Sequence, residues 1–396
     1  MGKRPRAVLI GAGIGGLCTA LALQRAGWET VLCEQAPALR EAGAGIVLAA
    51  NAMHALGELG IAEAVRRKGA AVKTADIRSW EGDLLTRLPV DEQAAIYGTY
   101  SYLIHRAALQ SVLLEAMGED TEIGYGKQCV GWTEHKEGIT AVFADGSELQ
   151  GNLLIGADGL YSKVREKLFG LSPLRYSGYH ALRGICRLSG MGEGLYTSSA
   201  GGGFEAWGPG RRFGLSHLGD GNVFWFSAVN GPENQIIPQG FRKKTALSLF
   251  RGWYEPVLEA IRATEEEAIL SHDIYDRVPL PQWGKGRVTL VGDAAHPMLP
   301  NLGQGGAQAM EDALVLGRHL QIAAADGDLS RLPQLLRAYE RARIPRTNAV
   351  VRGSRRMAKL VQLELPAAIA ARNAALRIMP APVQVRRLDW LLGFRA

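Results

Sequence analysis

Nothing in this sequence pairs its cysteines: Cys18, Cys33, Cys129 and Cys186 form no CxxC motif, and no group of residues falls at metal-ligand spacing. That absence argues against a dithiol redox centre, a disulfide framework and a bound metal, and leaves the cysteines as buried thiols. No run of eighteen apolar residues occurs, so a membrane-spanning helix is not expected. The N-terminal MGKRPR leads straight into an apolar strand with no leader-like segment, and the expectation is a cytoplasmic protein. Repeats and low-complexity tracts are missing as well. Acidic residues are scarce at one end only: residues 331–396 hold 14 Lys and Arg against 3 Asp and Glu, a net +11 in a chain of total charge +6. Such a stretch invites a nucleic-acid or membrane-surface reading. Its arginines alternate with Leu, Ile, Val and Ala at helical spacing, as in Tyr339 to Val351 and Met357 to Leu365. They therefore read as the solvated faces of docked helices, with no nucleic-acid partner and no integral membrane segment expected.

What is present is a chain of 396 residues, 47% hydrophobic, long enough for two or three domains around a large core. Ala7 to Ile10 is a short apolar run, Leu17 to Arg25 has helical periodicity ending at Gly27, and GAGIGG lies between them. Glycines at a strand-to-helix turn have specific uses. Gly11 permits the tight turn, Gly13 lets backbone approach a pyrophosphate, and Gly16 allows close helix-to-strand packing, while the helix N-terminus favours phosphate charge. A second strand, Thr30 to Cys33, delivers Glu34 about 20 residues on, where a carboxylate accepts hydrogen bonds from ribose hydroxyls and repels a 2'-phosphate. FAD and NAD both satisfy this motif.

Two distant segments decide between them. TLVGDAAHPMLPNLGQGGAQAMED, from Thr289 to Asp312, joins a buried strand, a Gly-Asp corner, a proline-glycine loop and a helix starting near Gly305. Asp293 suits a polyol such as a ribityl chain. The helix start after Gly303, at Gly305 and Gly306, favours the negative charge of reduced flavin by roughly 0.3–1 kcal/mol, and nicotinamide gains nothing comparable. GADGLYSKVR places Asp158 after the buried run Leu153 to Ile155, where ligands bind in open α/β sheets. The same dipeptide at Asp145-Gly146 lies between alternating runs and reads as a hairpin turn. Arg106 begins a helix, a position the dipole disfavours for a cation, and this suggests an anionic partner.

With REAGAGIVLAANAMHALGELG at Arg40 to Gly60 and HRAAL at His105 to Leu109, these segments resemble the single-component FAD monooxygenases of the para-hydroxybenzoate hydroxylase fold. The similarity is to the salicylate hydroxylase, urate hydroxylase and zeaxanthin epoxidase-like branches, and covers nearly the whole chain. It implies an α/β (α+β overall) architecture: a Rossmann-like FAD-binding domain, an inserted mixed β-sheet substrate domain and C-terminal helices. Residues 1–70, 98–172 and 284–345 would form the first, 71–97 and 173–283 the second, and 346–396 the third. By this resemblance Arg40, Gly45 and Arg106 contact FAD, Asp158 serves FAD and nicotinamide, Asp293 holds the ribityl chain, and Pro300 borders the oxygen-reaction site. The implied chemistry is hydride transfer from NADPH or NADH to noncovalent FAD. Reduced flavin then reacts with O2 to a C4a-hydroperoxide, and oxygen passes to a small aromatic or heteroaromatic substrate by hydroxylation or epoxidation. Only one dinucleotide fingerprint exists, so the nicotinamide is a transient visitor.

Arg212 precedes a predicted strand, Phe213 to Leu218, resembling the one that places an active-site arginine in the urate branch. The tyrosine which that branch has on the next strand is here Phe224, and this disfavours urate itself. Arg183 is a second substrate candidate, with Phe204, Trp207 and Trp225 as pocket-lining aromatics. Two other classes share the first fingerprint: a flavin oxidase or dehydrogenase acting on amines, and a protein that merely oxidises NAD(P)H to peroxide. The expected assembly is a monomer or homodimer.

Overall fold

The computed structural model describes residues 4–39, 45–118, 121–188, 201–219 and 221–396; the predicted FAD contact Arg40 lies outside them. The apolar run at the N-terminus becomes the strand Arg6–Ile10, at the centre of a five-stranded sheet. In spatial order its strands are Val288–Leu290, Leu153–Gly156, Arg6–Ile10, Glu29–Glu34 and Glu122–Tyr125, every neighbouring pair parallel. Parallel pairing demands crossover connections that cover the sheet, which is why the central strands are apolar throughout rather than alternating. The helix Ile14–Arg25 makes the first crossover and packs on the helix Gly305–Asp326, where a side chain at Gly317 would sit 3.2 Å from the Ala22 methyl. Small residues on both helices permit that approach. Trp28 closes the contact by donating from Nε1 to the Leu320 carbonyl at 3.0 Å.

A second, seven-stranded sheet runs in the order Leu270–Asp276, Arg175–Arg187, Asn222–Asn230, Arg211–Gly219, Gly203–Gly208, Ala75–Ser79 and Leu84–Arg87. The segment 71–97 thus supplies two strands to this sheet, joined through a parallel pair between Ala75–Ser79 and Gly203–Gly208. One face of the sheet is a dry core in which Leu182, Phe213, Leu215 and Trp225 pack with Phe250 and Ile261. Asp145-Gly146 is the expected turn between the antiparallel strands Gly138–Phe143 and Glu148–Gly151, with Gly146 at φ 80°.

The C-terminal part differs from expectation in two respects. The helix Leu332–Val361 runs on through Pro345, across the boundary expected at residues 345 and 346, and packs on the helix Gly305–Asp326. Most arginines of the region lie on solvated faces as expected, but not all of them do. Arg343 and Arg372 are buried, and Arg346 and Arg355 are partly so. The reason for two of them is a pair of buried carboxylates, Glu311 and Asp312, which face Arg343 and Arg346; Asp276 likewise draws in Arg355 at 2.6 Å. Helical spacing reports a helix, but not which face is wet. No described helix is long and apolar enough to cross a membrane.

Candidate active site

Four adjacent parallel strands end at the rim of one cavity of about 780 Å³. Because the strand order is known, so is the order along that rim: Asp293, Asp158, the Gly11 turn and then Glu34. Gly11 has φ +106°, and a Cβ there would lie 2.5 Å from the Ala157 carbonyl oxygen; one on Gly16 would lie 2.0 Å from the Gly11 oxygen. Both positions therefore exclude any side chain. At Gly13 the space where a Cβ would project is empty and opens on the cavity, leaving backbone accessible to a ligand. The Glu34 carboxylate is fixed by the N–H groups of Ala12 (3.0 Å) and Ala36 (2.9 Å), one to each oxygen. Each oxygen keeps a lone pair for a further donor.

Asp158 spends part of its capacity locally. It accepts from Ser162 Oγ at 2.5 Å and from the N–H groups of Lys163 and Val164, which starts the helix Lys163–Phe169. Burial raises its pKa, and those hydrogen bonds oppose the rise. Asp293 differs: its carboxylate makes no hydrogen bond or ion pair with the described residues, and it is exposed to the cavity that it lines. Burial raises its pKa too, opposed by His296 and Arg106. Arg106 opens the helix Arg106–Met117, lines the cavity, and has no partner among the described residues.

The helix Gly305–Asp326 aims its N-terminus at the same space. A Cβ on Gly305 would sit 3.8 Å from Asp293 Oδ1, and one on Gly306 would strike Ile46 at 2.8 Å. Gly303, at φ +61°, ends the short turn Pro300–Leu302 that precedes this helix, and Pro300 is on the cavity wall. Gly45 lies against Phe224, its Cβ position 2.8 Å from the ring.

The opposite wall is one face of the seven-stranded sheet. Register pairs Arg183 with Phe226, Arg212 with Ala228 and Ala181 with His272, so these residues share a face with Tyr179 and Phe224. Period-two alternation then requires Trp225 to point the other way. It does: Trp225 is fully buried, stacks on Phe213 at 5.2 Å and donates from Nε1 to Thr264 Oγ1 at 2.8 Å, so it is core and not pocket. Phe204 belongs to that core as well, and Trp207 is covered by the Arg372 guanidinium, 5.1 Å from the ring. Neither lines the cavity.

Arg212 lies within the strand Arg211–Gly219 rather than before it, and is 3% exposed. Its guanidinium sits 5.0 Å above the Phe226 ring, which in turn needs glycine at 214, where a Cβ would be 2.2 Å away. Among the described residues, one long contact to Glu205, 3.4 Å, is its only ion pair, and its Nε is buried without a hydrogen-bond partner. Arg183 lines the same end with no partner among the described residues; burial lowers its pKa, Tyr179 counters this and Arg106 adds to it. Tyr179, its own pKa raised by burial against the pull of Arg212, donates to Asn301 Oδ1 at 2.7 Å and ties the sheet to the Pro300 turn. Tyr179, Phe226 and His272 were not anticipated. The signal was available in part, since Tyr179 is four residues from Arg183 and Phe226 two from Phe224 on strands read as alternating.

Behind the rim lies a buried polar cluster that sequence reasoning also missed. Asp312 Oδ2 accepts from the Gly292 N–H at 2.9 Å and from His296 Nε2 at 2.6 Å, which fixes the residue before Asp293. Arg343 bonds Asp312 through Nε at 2.8 Å and Glu311 through Nη1 at 2.5 Å, and Glu311 is held further by Arg346 and Asn51. The cluster bolts the helix Leu332–Val361 to the N-terminal turns of Gly305–Asp326.

An unpartnered carboxylate, an unpartnered arginine, an open glycine turn and a helix N-terminus, set along the carboxyl edge of a parallel sheet, fit a long ligand with phosphates, ribose and polyol. FAD has these parts. The chain belongs to the FAD binding domain family, whose model matches residues 5–175 and 269–354, and it is an FAD-dependent monooxygenase of the single-component type. Aurachin C monooxygenase/isomerase of Stigmatella aurantiaca is 41% identical over 94% of this chain and 94% of its own length. A 3-amino-4-hydroxybenzoate 2-monooxygenase of Streptomyces platensis is 37% identical, covering 99% of this chain and 97% of that one. Among solved structures, Klebsiella pneumoniae HpxO complexed with FAD and uric acid superposes with a TM-score of 0.89 at 27% identity, over 98% and 97% of the two chains.

Proposed function

We propose that this monooxygenase acts on a planar aromatic or heteroaromatic compound bearing an acidic hydroxyl or equivalent anionic group, held by Arg212 and Arg183 against the sheet face. Arg212 carries the reading. A guanidinium this buried, with a single long ion pair and a free Nε, is an incompletely compensated charge, a state that costs several kcal/mol in the absence of a partner. An anion in the cavity offsets that cost. Two cations on one wall also lower the pKa of a bound phenol or hydroxyheterocycle, which makes the ring electron-rich. Phe224 and Phe226 offer flat apolar surfaces on the same face and keep water from the reacting end. The compounds in the names of two similar proteins, 3-amino-4-hydroxybenzoate and uric acid, are planar and acidic, which supports the class. Phe224 in place of the tyrosine of the urate branch speaks against uric acid.

FAD, when bound, would supply a hydride acceptor for NADPH or NADH and the means to activate O2. The residues that would hold it are Glu34 at the ribose, the Gly11–Gly16 turn and helix N-terminus at the pyrophosphate, Asp293 at the ribityl chain, and Arg106 at an anionic group. The N-terminus at Gly305 favours negative charge on the ring system. Asp312, through the Gly292 N–H, keeps Asp293 in place.

The test is a panel of phenols, quinolones and N-heterocycles, scored for stimulated NAD(P)H oxidation and for heavy-oxygen incorporation under oxygen-18 gas. Arg212→Met should retain FAD while the yield of product per NAD(P)H falls and hydrogen peroxide rises. An unchanged ratio with unchanged substrate affinity removes Arg212 from the site. Flavin reduction by substrate without nicotinamide points to the amine oxidase class instead.

A further inference from the structure

The helix Pro366–Ile378 is inverted relative to a normal surface helix. Its exposed positions are Pro366, Ala367, Ala370, Ala371, Ala374, Ala375 and Arg377–Ile378, so until the last turn the solvent side holds no charged or polar side chain. The polar residues point inward. Arg372 is buried over Trp207, and Asn373 accepts from it at 3.0 Å. Large apolar groups extend the face at both ends, with Leu365 72% exposed and Ile378 80% exposed. The last helix, Ala381–Leu392, continues the pattern with Val383 and Trp390 exposed at one helical spacing and Arg386 and Arg387 between them.

Cations frame this apolar surface. Arg352, Arg356 and Lys359 form an exposed stripe on the preceding helix, next to the exposed Leu360, and none has a hydrogen-bond or ion-pair partner among the described residues; Arg386 has none either. Of the three acidic residues in this region, Glu340 is buried, and the exposed Glu364, which accepts from the neutral Asn230 amide at 2.9 Å, and Asp389 are outnumbered by the exposed cations. Unpaired arginines around an apolar face disfavour a second copy of the same chain, which would bring like charges together, and suit a partner that is anionic at its surface and apolar beneath. We infer that the C-terminal helices dock on an anionic lipid bilayer, lying in its interface rather than crossing it. The arginines reach headgroup phosphates while Leu365, Ile378 and Trp390 enter the acyl boundary, tryptophan being suited to that depth. The docking face adjoins the site: at Gly353, between Arg352 and Arg356, a Cβ would be 3.2 Å from Leu302, in the turn that begins with the cavity-lining Pro300, and 3.7 Å from Trp390. A lipid-dissolved substrate would thus be received close to the cavity.

The experiment is cosedimentation of the full-length, FAD-loaded protein with vesicles of phosphatidylcholine alone or with 30 mol% phosphatidylserine, at low salt and at about 0.5 M NaCl, where screening reaches within a few ångströms. Binding at least tenfold stronger to the anionic vesicles, reduced tenfold or more by salt and by Arg386→Glu/Arg387→Glu, is the expected result. Ala371→Glu/Ala374→Glu, exposed changes that a helix tolerates well, should weaken binding comparably while leaving FAD content and the melting temperature unchanged. No preference for anionic vesicles overturns the inference. So does a dimer in light scattering that the Ala371→Glu/Ala374→Glu variant dissociates, since the face would then be occupied by a second copy.

Discussion

Replacing Arg343 by Met tests whether the buried cluster behind the flavin rim is structural in the sense argued above. The Arg343 side chain is 1% exposed and makes four hydrogen bonds, to Asp312, to Glu311 and, through Nη2, to the carbonyl oxygen and side chain of Gln308. Met fills much of the volume and removes the charge. Glu311 keeps Arg346, which grips both its oxygens at 2.7 and 2.8 Å, but Asp312 loses the guanidinium and, among the described residues, retains only His296 and the Gly292 N–H. Breaking a buried ion pair from one side costs about 3–5 kcal/mol, because the remaining charge stays desolvated. With an unfolding entropy near 2.1 cal/mol/K per residue, 396 residues give roughly 0.8 kcal/mol/K, so the melting temperature should fall by about 4–6 °C. Arg343→Met/Asp312→Asn should fall by less than the sum of the single changes, since neutralising Asp312 removes the stranded charge. Arg343→Lys should lie between, having a charge but no fork. Thermal unfolding by circular dichroism reads all five proteins, the Asp312→Asn single variant included, and FAD fluorescence release reads the rim. An Arg343→Met protein melting within a degree of the parent, or strict additivity in the cycle, refutes the reasoning.

Acid should expose the same cluster: burial raises the Asp312 pKa, but His296 and Arg343 outweigh it and hold the group at about 2, below its ordinary 3.8. About 2 kcal/mol of stability is then present above pH 4 and lost as pH falls toward 2, a loss that Asp312→Asn should abolish in pH-dependent melts. Glu340 runs the other way, pushed up by burial to about 7 despite Arg337, so its charge penalises the fold as pH rises from about 4.5 through 7. Glu340→Gln should therefore gain on the order of 1–3 kcal/mol over the parent at pH 8 and little at pH 5; equal gains at both would refute it. Glu34→Arg reverses the charge of a carboxylate fixed by the Ala12 and Ala36 N–H groups, and should weaken FAD binding by a few kcal/mol in fluorescence titration. Unchanged affinity would remove Glu34 from the ribose. Gly305→Asp sets a second carboxylate near Asp293, against the positive helix end, and should lower the flavin potential by roughly 10–40 mV in a folded, FAD-loaded variant; a rise would contradict the geometry.

The sequence by itself determined the nucleotide half of this protein. Its signals are local: the glycines of the first turn, the acid at the end of the second strand, and the Gly-Asp corner before a helix are each decided by backbone sterics and helix ends within a few residues. The five-stranded sheet, the Asp145-Gly146 hairpin and the helix start at Gly305 all follow from such short-range chemistry. Tertiary structure alone decided the rest, because it depends on which face of an element meets which neighbour. Aromatic strand residues split by alternation, with Phe224 and Phe226 to the cavity and Trp225 to the core, and only register shows where that alternation is anchored. The basic C-terminal helices were legible as helices, but Arg343 and Arg372 turned inward and alanines turned outward. Carboxylates more than 30 residues from Arg343 along the chain, and a tryptophan of the seven-stranded sheet beside Arg372, determined those orientations through charge pairing and stacking that helical periodicity does not encode.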